Sequence, residues 1–247
     1  MEGQNWGLEN VAVKKVSVNG FNWLPEEHLK QLEKLLNHLN LGRYLDEQIK
    51  EQEAVQLNLD TSSVNVQEIK FDDRTKIEIA SGEGVPFFAK LFHIDETANE
   101  DGTYNLHIVA IENDVLVVDS VNPVDYNSLG LSEIVNALVP NEEDVSAKAW
   151  YSDVPCVGNG CCVFTEYNMV TYPVFYNWCG ANCGSGTPIN AADTCCRTHD
   201  YCYNNFSSYP TRCSCDLNLI NCLGQTSSPG ATIMATAFRI KRKDQGC

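Results

Sequence analysis

The chain has 247 residues, 43% of them hydrophobic and 20% charged, with a formal net charge of −16. That length holds one large domain or two ordinary ones, and the composition excludes a disordered or collagen-like chain. No apolar run reaches the roughly 18 residues of a membrane span, and the acidic balance argues against nucleic acid as a partner.

Charge and cysteine are unevenly placed. Residues 1–150 carry 11 Lys/Arg against 27 Asp/Glu, whereas residues 151–247 carry six of each sign. All 12 cysteines lie between Cys156 and Cys247. Two composition regimes predict two domains, an acidic cysteine-free one over residues 1–145 and a disulfide-rich one over residues 146–247. So many thiols in a small domain read as a disulfide framework of up to six bridges, and place the protein in a secretory or extracellular compartment. Zinc is the alternative, but apart from Cys213-Ser-Cys215 the paired cysteine knuckles and a second histidine are missing. Met1 to Trp6 has no apolar signal-peptide region, so the chain is expected to be a mature form given a start methionine.

In chain order, Leu29, Leu32, Leu35, Leu36 and Leu39 form one apolar stripe, which predicts a helix over residues 25–39 opened by Pro25, Glu26 and Glu27. Residues 43–55 are expected to continue as a second, more polar helix. Strands are predicted over residues 64–71, 75–80, 85–94, 104–112 and 115–121, with Glu112-Asn113-Asp114 as a hairpin signal. Residues 128–139 read as a further helix. The first domain is therefore expected to be α+β, with helix packed on an antiparallel sheet. Its acidic surplus reads as a solvated face. His28, His38, His93 and His107 sit in no metal or nucleophile motif and are expected at the surface or in the sheet. Residues 140–148 read as a polar linker.

The informative stretch contains WCGANCGSGTP at 178–188, NAADTCCRTHDYCYNN at 190–205 and CSCDLNLINCL at 213–223. Helices are predicted around residues 194–204 and 212–223. Cys195 and Cys202 are seven apart and share a face, as do Cys215 and Cys222. In an antiparallel pair, contacting residues have a nearly constant index sum, and Cys195–Cys222 has the same sum as Cys202–Cys215. These two bridges would clamp the helices in register. His199 and Asp216 fall two short of that sum, within one turn, with Tyr203 beside the same carboxylate. A histidine held by a carboxylate is the arrangement of a general base. Asp200 points about 100° away and is free for a hard cation.

CCRTHDYCY resembles the active-site helix of the secreted phospholipase A2 superfamily. WCG before a Gly-rich stretch resembles its calcium loop, and CSCD its second helix; the Trp-Cys-Gly start leans toward the invertebrate venom-type group. The resemblance covers roughly residues 175–225 and implies a mainly α domain with two antiparallel helices. It implies that His199 activates a water against the sn-2 ester of a glycerophospholipid. Asp216 would orient His199, and Tyr203 would support Asp216. The Gly180 N–H would help to stabilise the oxyanion. Ca²⁺ would be held by Asp200 and the carbonyls of Trp178, Gly180 and Asn182. It further implies a Cys179–Cys196 bridge. Cys156, Cys161, Cys162, Cys183, Cys213 and Cys247 stay without assigned partners.

Departures are Asn182 and Asn190 where Gly and Asp are usual, Cys183 within the loop, and only 17 residues between His199 and Asp216, which leaves no β-wing. Asn205-Phe206-Ser207 is an N-glycosylation sequon. Tyr172, Phe175, Tyr176 and Trp178 read either as an aromatic collar for a membrane surface or as core. Arg239, Lys241, Arg242 and Lys243 form a basic cluster suited to anionic headgroups or to the acidic first domain.

The reading is a secreted, extracellular Ca²⁺-dependent phospholipase A2 acting peripherally on phospholipid membranes or micelles, with no nucleic-acid partner. Its rivals are a catalytically weak binding protein on the same scaffold, such as a toxin subunit or matrix component, and an enzyme masked by its first domain.

Overall fold

The computed structural model describes residues 12–46, 49–59, 62–124, 126, 161–165, 173–181, 183–226 and 228–247. The expected helix over 128–139 and the linker over 140–148 lie outside them. The chain divides into two compact units, one built on Lys14–Gln56 and Ser63–Ile134, the other including Val135–Cys247.

Seven described strands form a sheet in sequence order, most of it within the first unit: β1 (Ala12–Lys15), β2 (Glu51–Leu59), β3 (Ser62–Lys70), β4 (Thr75–Gly82), β5 (Val85–Ile94), β6 (Tyr104–Glu112) and β7 (Val115–Val124). From β3 to β7 each pairing is antiparallel. At the β6–β7 turn Asn113 and Asp114 have φ of 46° and 68°. Both central residues of a tight two-residue hairpin need positive φ, which Asn and Asp tolerate best.

Helix α1 (Glu26–His38) has Pro25 at its N-cap and buries Leu32, Leu35 and Leu36. These pack with Ile69, Ile77, Ile79, Phe87, Ala89, Leu91, Val109 and Ile111, the odd-numbered residues of β3 to β6 that share one sheet face. Asn40, at φ 58°, ends the helix. It donates its N–H to Asn37 O, and Leu41 N donates to Leu36 O at 2.8 Å, a Schellman closure. Asp114 at the hairpin tip is tied back to α1: its N–H donates to Gln31, and Lys34 donates to its carbonyl at 2.7 Å and to its carboxylate at 2.9 Å.

Two expectations for this unit fail. Residues 43–55 are not a helix; a 3₁₀ turn over Gly42–Leu45 leads into β2. Val55 and Leu57 lie two apart, and the burial that a strand offers them outweighs the helix preference of Glu51, Gln52, Glu53 and Gln56. The acidic surplus is not all solvated, since buried Glu68 and Glu78 pair with Lys76 at 3.4 Å each, and Lys90 lies 3.7 Å from Glu78. The histidines are surface or sheet residues. His28 bonds Ser81 at 2.9 Å, His38 meets Asp119 at 2.9 Å, and His93 and His107 are cross-strand neighbours.

The second unit starts, in its described part, with a two-stranded sheet of β8 (Val163–Thr165) and β9 (Pro173–Phe175). A loop leads to α2 (Ala191–Asn205), α3 (Cys213–Gly224) and α4 (Ala231–Asp244). Cys195–Cys222 and Cys202–Cys215 join α2 to α3 in the expected register, and Cys179–Cys196 ties the loop to α2. Cys161–Cys183 and Cys213–Cys247 are two further bridges, beyond what spacing or resemblance indicates; Cys162 is disulfide-bonded as well. A third helix, α4, therefore joins the two expected.

Leu36→Ala is expected to destabilise the sheet unit by about 2–5 kcal/mol, the usual cost of a large-to-small change in a closed core. Urea unfolding followed by the fluorescence of Trp23 checks this; an unchanged midpoint would mean that α1 does not anchor the sheet.

Candidate active site

The site is assembled around α2. Asn190 caps the helix, its side chain accepting from Asp193 N at 3.0 Å. Asp193 then lies in the first turn, where the unpaired helix N–H groups favour an anion. Its carboxylate, with 0% of the residue exposed, accepts four backbone N–H groups: Trp178 at 2.7 Å and Asn177, Cys179 and Ile189 at 3.1 Å each. One side chain thus holds both ends of the loop before α2. Asn177 adds a second tie, its carbonyl accepting from Gly184 N at 3.1 Å and Ser185 N at 3.3 Å.

Residues 193, 196, 199, 200 and 203 follow three- and four-residue spacing, so loop anchor, bridge and reactive groups share one side of α2. His199 is buried, and its Nε2 meets Asp216 Oδ1 at 3.0 Å. Tyr203 donates its hydroxyl to the same oxygen at 2.6 Å, and Tyr209 donates to Oδ2 at 2.6 Å. The two hydroxyls lie 2.9 Å apart. The His199 ring sits against Tyr203, with centroids 4.1 Å apart, and edge-on to Phe238 of α4 at 4.9 Å.

Asp216 has 0% exposure. Burial alone would raise its carboxyl, but hydrogen bonds from His199, Tyr203 and Tyr209 outweigh that and hold it below the usual range. Burial pushes both tyrosines up, and their bonds to the anion push them further. Both therefore stay protonated donors. An ionised carboxylate only accepts, so His199 carries its proton on Nε2 and presents Nδ1 as the basic nitrogen. Nδ1 faces Asp200, whose Oδ1 lies 3.9 Å away.

Asp200 is buried at 4% exposure. A Cβ placed on Gly184, where φ is +132°, would lie 3.6 Å from Asp200 Oδ2. The loop backbone thus passes beside this carboxylate in a conformation that glycine favours. No group of three or more His, Cys, Asp or Glu side chains is placed to hold a metal among the described residues. A cation at Asp200 would take its other ligands mainly from backbone carbonyls. A hard cation accepts such a set. Gly180, at φ +125°, shares its carbonyl with Cys183 N at 3.3 Å, which leaves a second lone pair.

The structure brings His199, Asp216, Tyr203 and Asp200 together and places Trp178 and Gly180 in the anchored loop; Asn182 lies outside the described residues. Asp193 and Tyr209 are additions. An acid three residues after an Asn cap was a readable signal for the first; Tyr209, in an irregular connection, offered none.

The aromatic cluster divides between its two readings. Tyr176 is core, donating its hydroxyl to Pro229 O at 2.7 Å, whereas Phe175 is 59% exposed; Tyr172 lies outside the described residues. Trp178 is half-buried against Tyr201, itself 54% exposed. Of the basic cluster, Arg239 and Lys241 are buried, so it is not an open cationic face.

Residues 170–241 match a phospholipase A2-like domain. Among curated proteins, Basic phospholipase A2 3 of Bungarus caeruleus is 37% identical over 70 residues, covering 27% of this chain and 48% of that protein. Phospholipase A2 A2-actitoxin-Cgg2a of Condylactis gigantea is 40% identical over 47 residues, 19% of this chain and 39% of that protein. The acidic phospholipase A2 homolog taipoxin gamma chain of Oxyuranus scutellatus scutellatus is 42% identical over 50 residues, 20% and 26%. The chain spans less than half the length of these relatives. No solved structure gives a significant match. No described helix is long and apolar enough to cross a membrane.

Asp193→Ala leaves four backbone N–H groups without their acceptor, and is expected to destabilise the disulfide-rich unit by about 3–5 kcal/mol. Thermal unfolding and faster hydrogen exchange at Trp178 and Cys179 check this. Asp216 has a lowered folded pKa, so its stabilising contribution is complete above the ordinary carboxylate range and is lost as pH falls through the folded value. Asp216→Asn should therefore flatten the loss of stability as pH falls below the ordinary carboxylate range; an equal dependence of melting temperature on pH in both proteins would count against that assignment.

Proposed function

We propose that this protein is a secreted, Ca²⁺-dependent phospholipase A2 that hydrolyses the sn-2 ester of glycerophospholipids at a lipid surface. The observation that carries the reading is the His199–Asp216 contact, with the opposite imidazole nitrogen turned toward Asp200. His199 Nδ1 takes a proton from a water whose oxygen attacks the ester carbonyl. Asp216 stabilises the imidazolium that forms, and Tyr203 and Tyr209 hold Asp216 in place. His199 then returns the proton to the departing lysophospholipid oxygen, and the fatty acid leaves.

Asp200 and the carbonyls of Trp178, Gly180 and Asn182 would hold the ion, and the Gly180 N–H would donate to the oxyanion. When bound, Ca²⁺ supplies polarisation of the ester carbonyl and charge stabilisation of the oxyanion. Phe175, Tyr201, Phe206 and Leu217, all exposed apolar residues of this unit, suit contact with a lipid surface.

A second reading keeps the scaffold and drops the chemistry, since one matched relative is named as a homolog rather than as the enzyme. Fatty-acid release from phosphatidylcholine vesicles by the full chain, with Ca²⁺ or with chelator, separates the two. Release should require Ca²⁺ and fall about 10²–10⁴-fold in His199→Gln. Equal release by His199→Gln would remove the proposed base. Release only after cleavage between the two units would indicate masking by the first.

A further inference from the structure

Helix α4 contributes two residues to the site, Phe238 and Lys241, one turn apart. Phe238 sits against His199. Lys241 is only 4% exposed, and its Nζ lies 5.5 Å from the ring centroids of Tyr203, Tyr209 and Phe238. The ammonium thus lies beside the two tyrosines that donate to Asp216.

The donors that Asp216 itself receives are neutral, two phenols and an imidazole. Those dipoles satisfy its lone pairs, and a nearby cation adds charge stabilisation that dipoles alone do not supply. An imidazolium at His199 would serve, but it would abolish the base. We propose that Lys241 is a positioning residue of the hydrolytic site, its buried ammonium being a standing counter-charge that adds to those three hydrogen bonds in stabilising the Asp216 anion and in keeping Tyr203 and Tyr209 aligned to donate to it. This rests on the hydrolase reading for its catalytic consequence, while the Lys241–Asp216 coupling does not.

The charged groups around Lys241 agree with that role. Burial pushes its ammonium down to about 8, Asp216 of α3 pulls it back up, and Arg212 at the start of α3 pushes it down. Arg212 lies over the Tyr203 ring at 4.2 Å but is only half-buried and donates Nε to Phe206 O, so solvent screens it more than Lys241. Tyr203 and Tyr209 stay neutral, and Asp200 faces the Nδ1 side of His199. For packing alone a Met or Leu would fill this place without desolvating a charge. An ammonium kept where burial disfavours it marks a use for the charge.

Four proteins test the proposal: the full chain, Lys241→Met, Lys241→Arg and Asp216→Asn. In wild type, kcat should fall as pH rises through about 8, when the ammonium is lost. Lys241→Arg should hold its neutral-pH kcat to beyond pH ~10. Lys241→Met should show kcat about tenfold lower with KM unchanged, the size of a one-unit pKa interaction, and a melting temperature no lower than wild type. A lowered melting temperature with wild-type kcat per folded molecule would overturn the proposal. A second readout needs no activity: the ¹³Cε shift of Lys241 titrated in wild type and in Asp216→Asn. A midpoint at least about one unit lower in the variant supports the coupling. An unmoved midpoint overturns it, even in a chain that releases no fatty acid.

Discussion

The chemistry of the second unit depends on a register imposed by two disulfides. Cys195–Cys222 and Cys202–Cys215 hold α2 against α3 with Cα separations of 5.8 and 5.7 Å. Two bridges about two turns apart remove both sliding and rotation of one helix on the other. With that freedom gone, His199 and Asp216 meet without any need for a large apolar interface. A domain this small cannot bury enough surface to set such a contact by packing alone, and covalent closure takes over that task.

Around Asp216 the polar groups are layered. Imidazole and two phenols touch the carboxylate directly, and the Lys241 ammonium lies behind the phenols. Each layer does a different job. The inner donors set geometry, because hydrogen bonds are directional; the outer cation sets charge, because its field acts across a ring. The Cys213–Cys247 bridge joins the start of α3 to the chain end just beyond α4, and so helps to hold the outer layer over the inner one.

What could be read from the residues alone was whatever depends on spacing. The leucine stripe of α1, the Asn113–Asp114 turn and the half-cystine register all repeat at fixed intervals, and each emerges where expected. The misses have physical reasons. β2 is rich in Glu and Gln, good helix formers, and becomes a strand in which Val55 and Leu57 are buried. α4 buries Thr232, Thr236, Arg239 and Lys241 along with its apolar residues, so its burial does not follow its polar–apolar pattern. Tyr209 reaches Asp216 from an irregular connection, which periodicity cannot see.

Helix α2 carries Asp193, which holds the loop; Cys196, bridged to it; His199 and Asp200, adjacent in sequence; and Tyr203. The loop, the proposed base and the proposed cation ligand are thus mounted on one rod. If the rod tilts or slides, they travel together and their mutual distances survive. Asp216, Tyr209, Phe238 and Lys241 are carried by other segments; Asp216 and Tyr209 join the site through directional hydrogen bonds that need the bridged register, whereas Lys241 acts through its field. The tolerance of the site is therefore graded: tight where a hydrogen bond must form, and looser where only a field must reach.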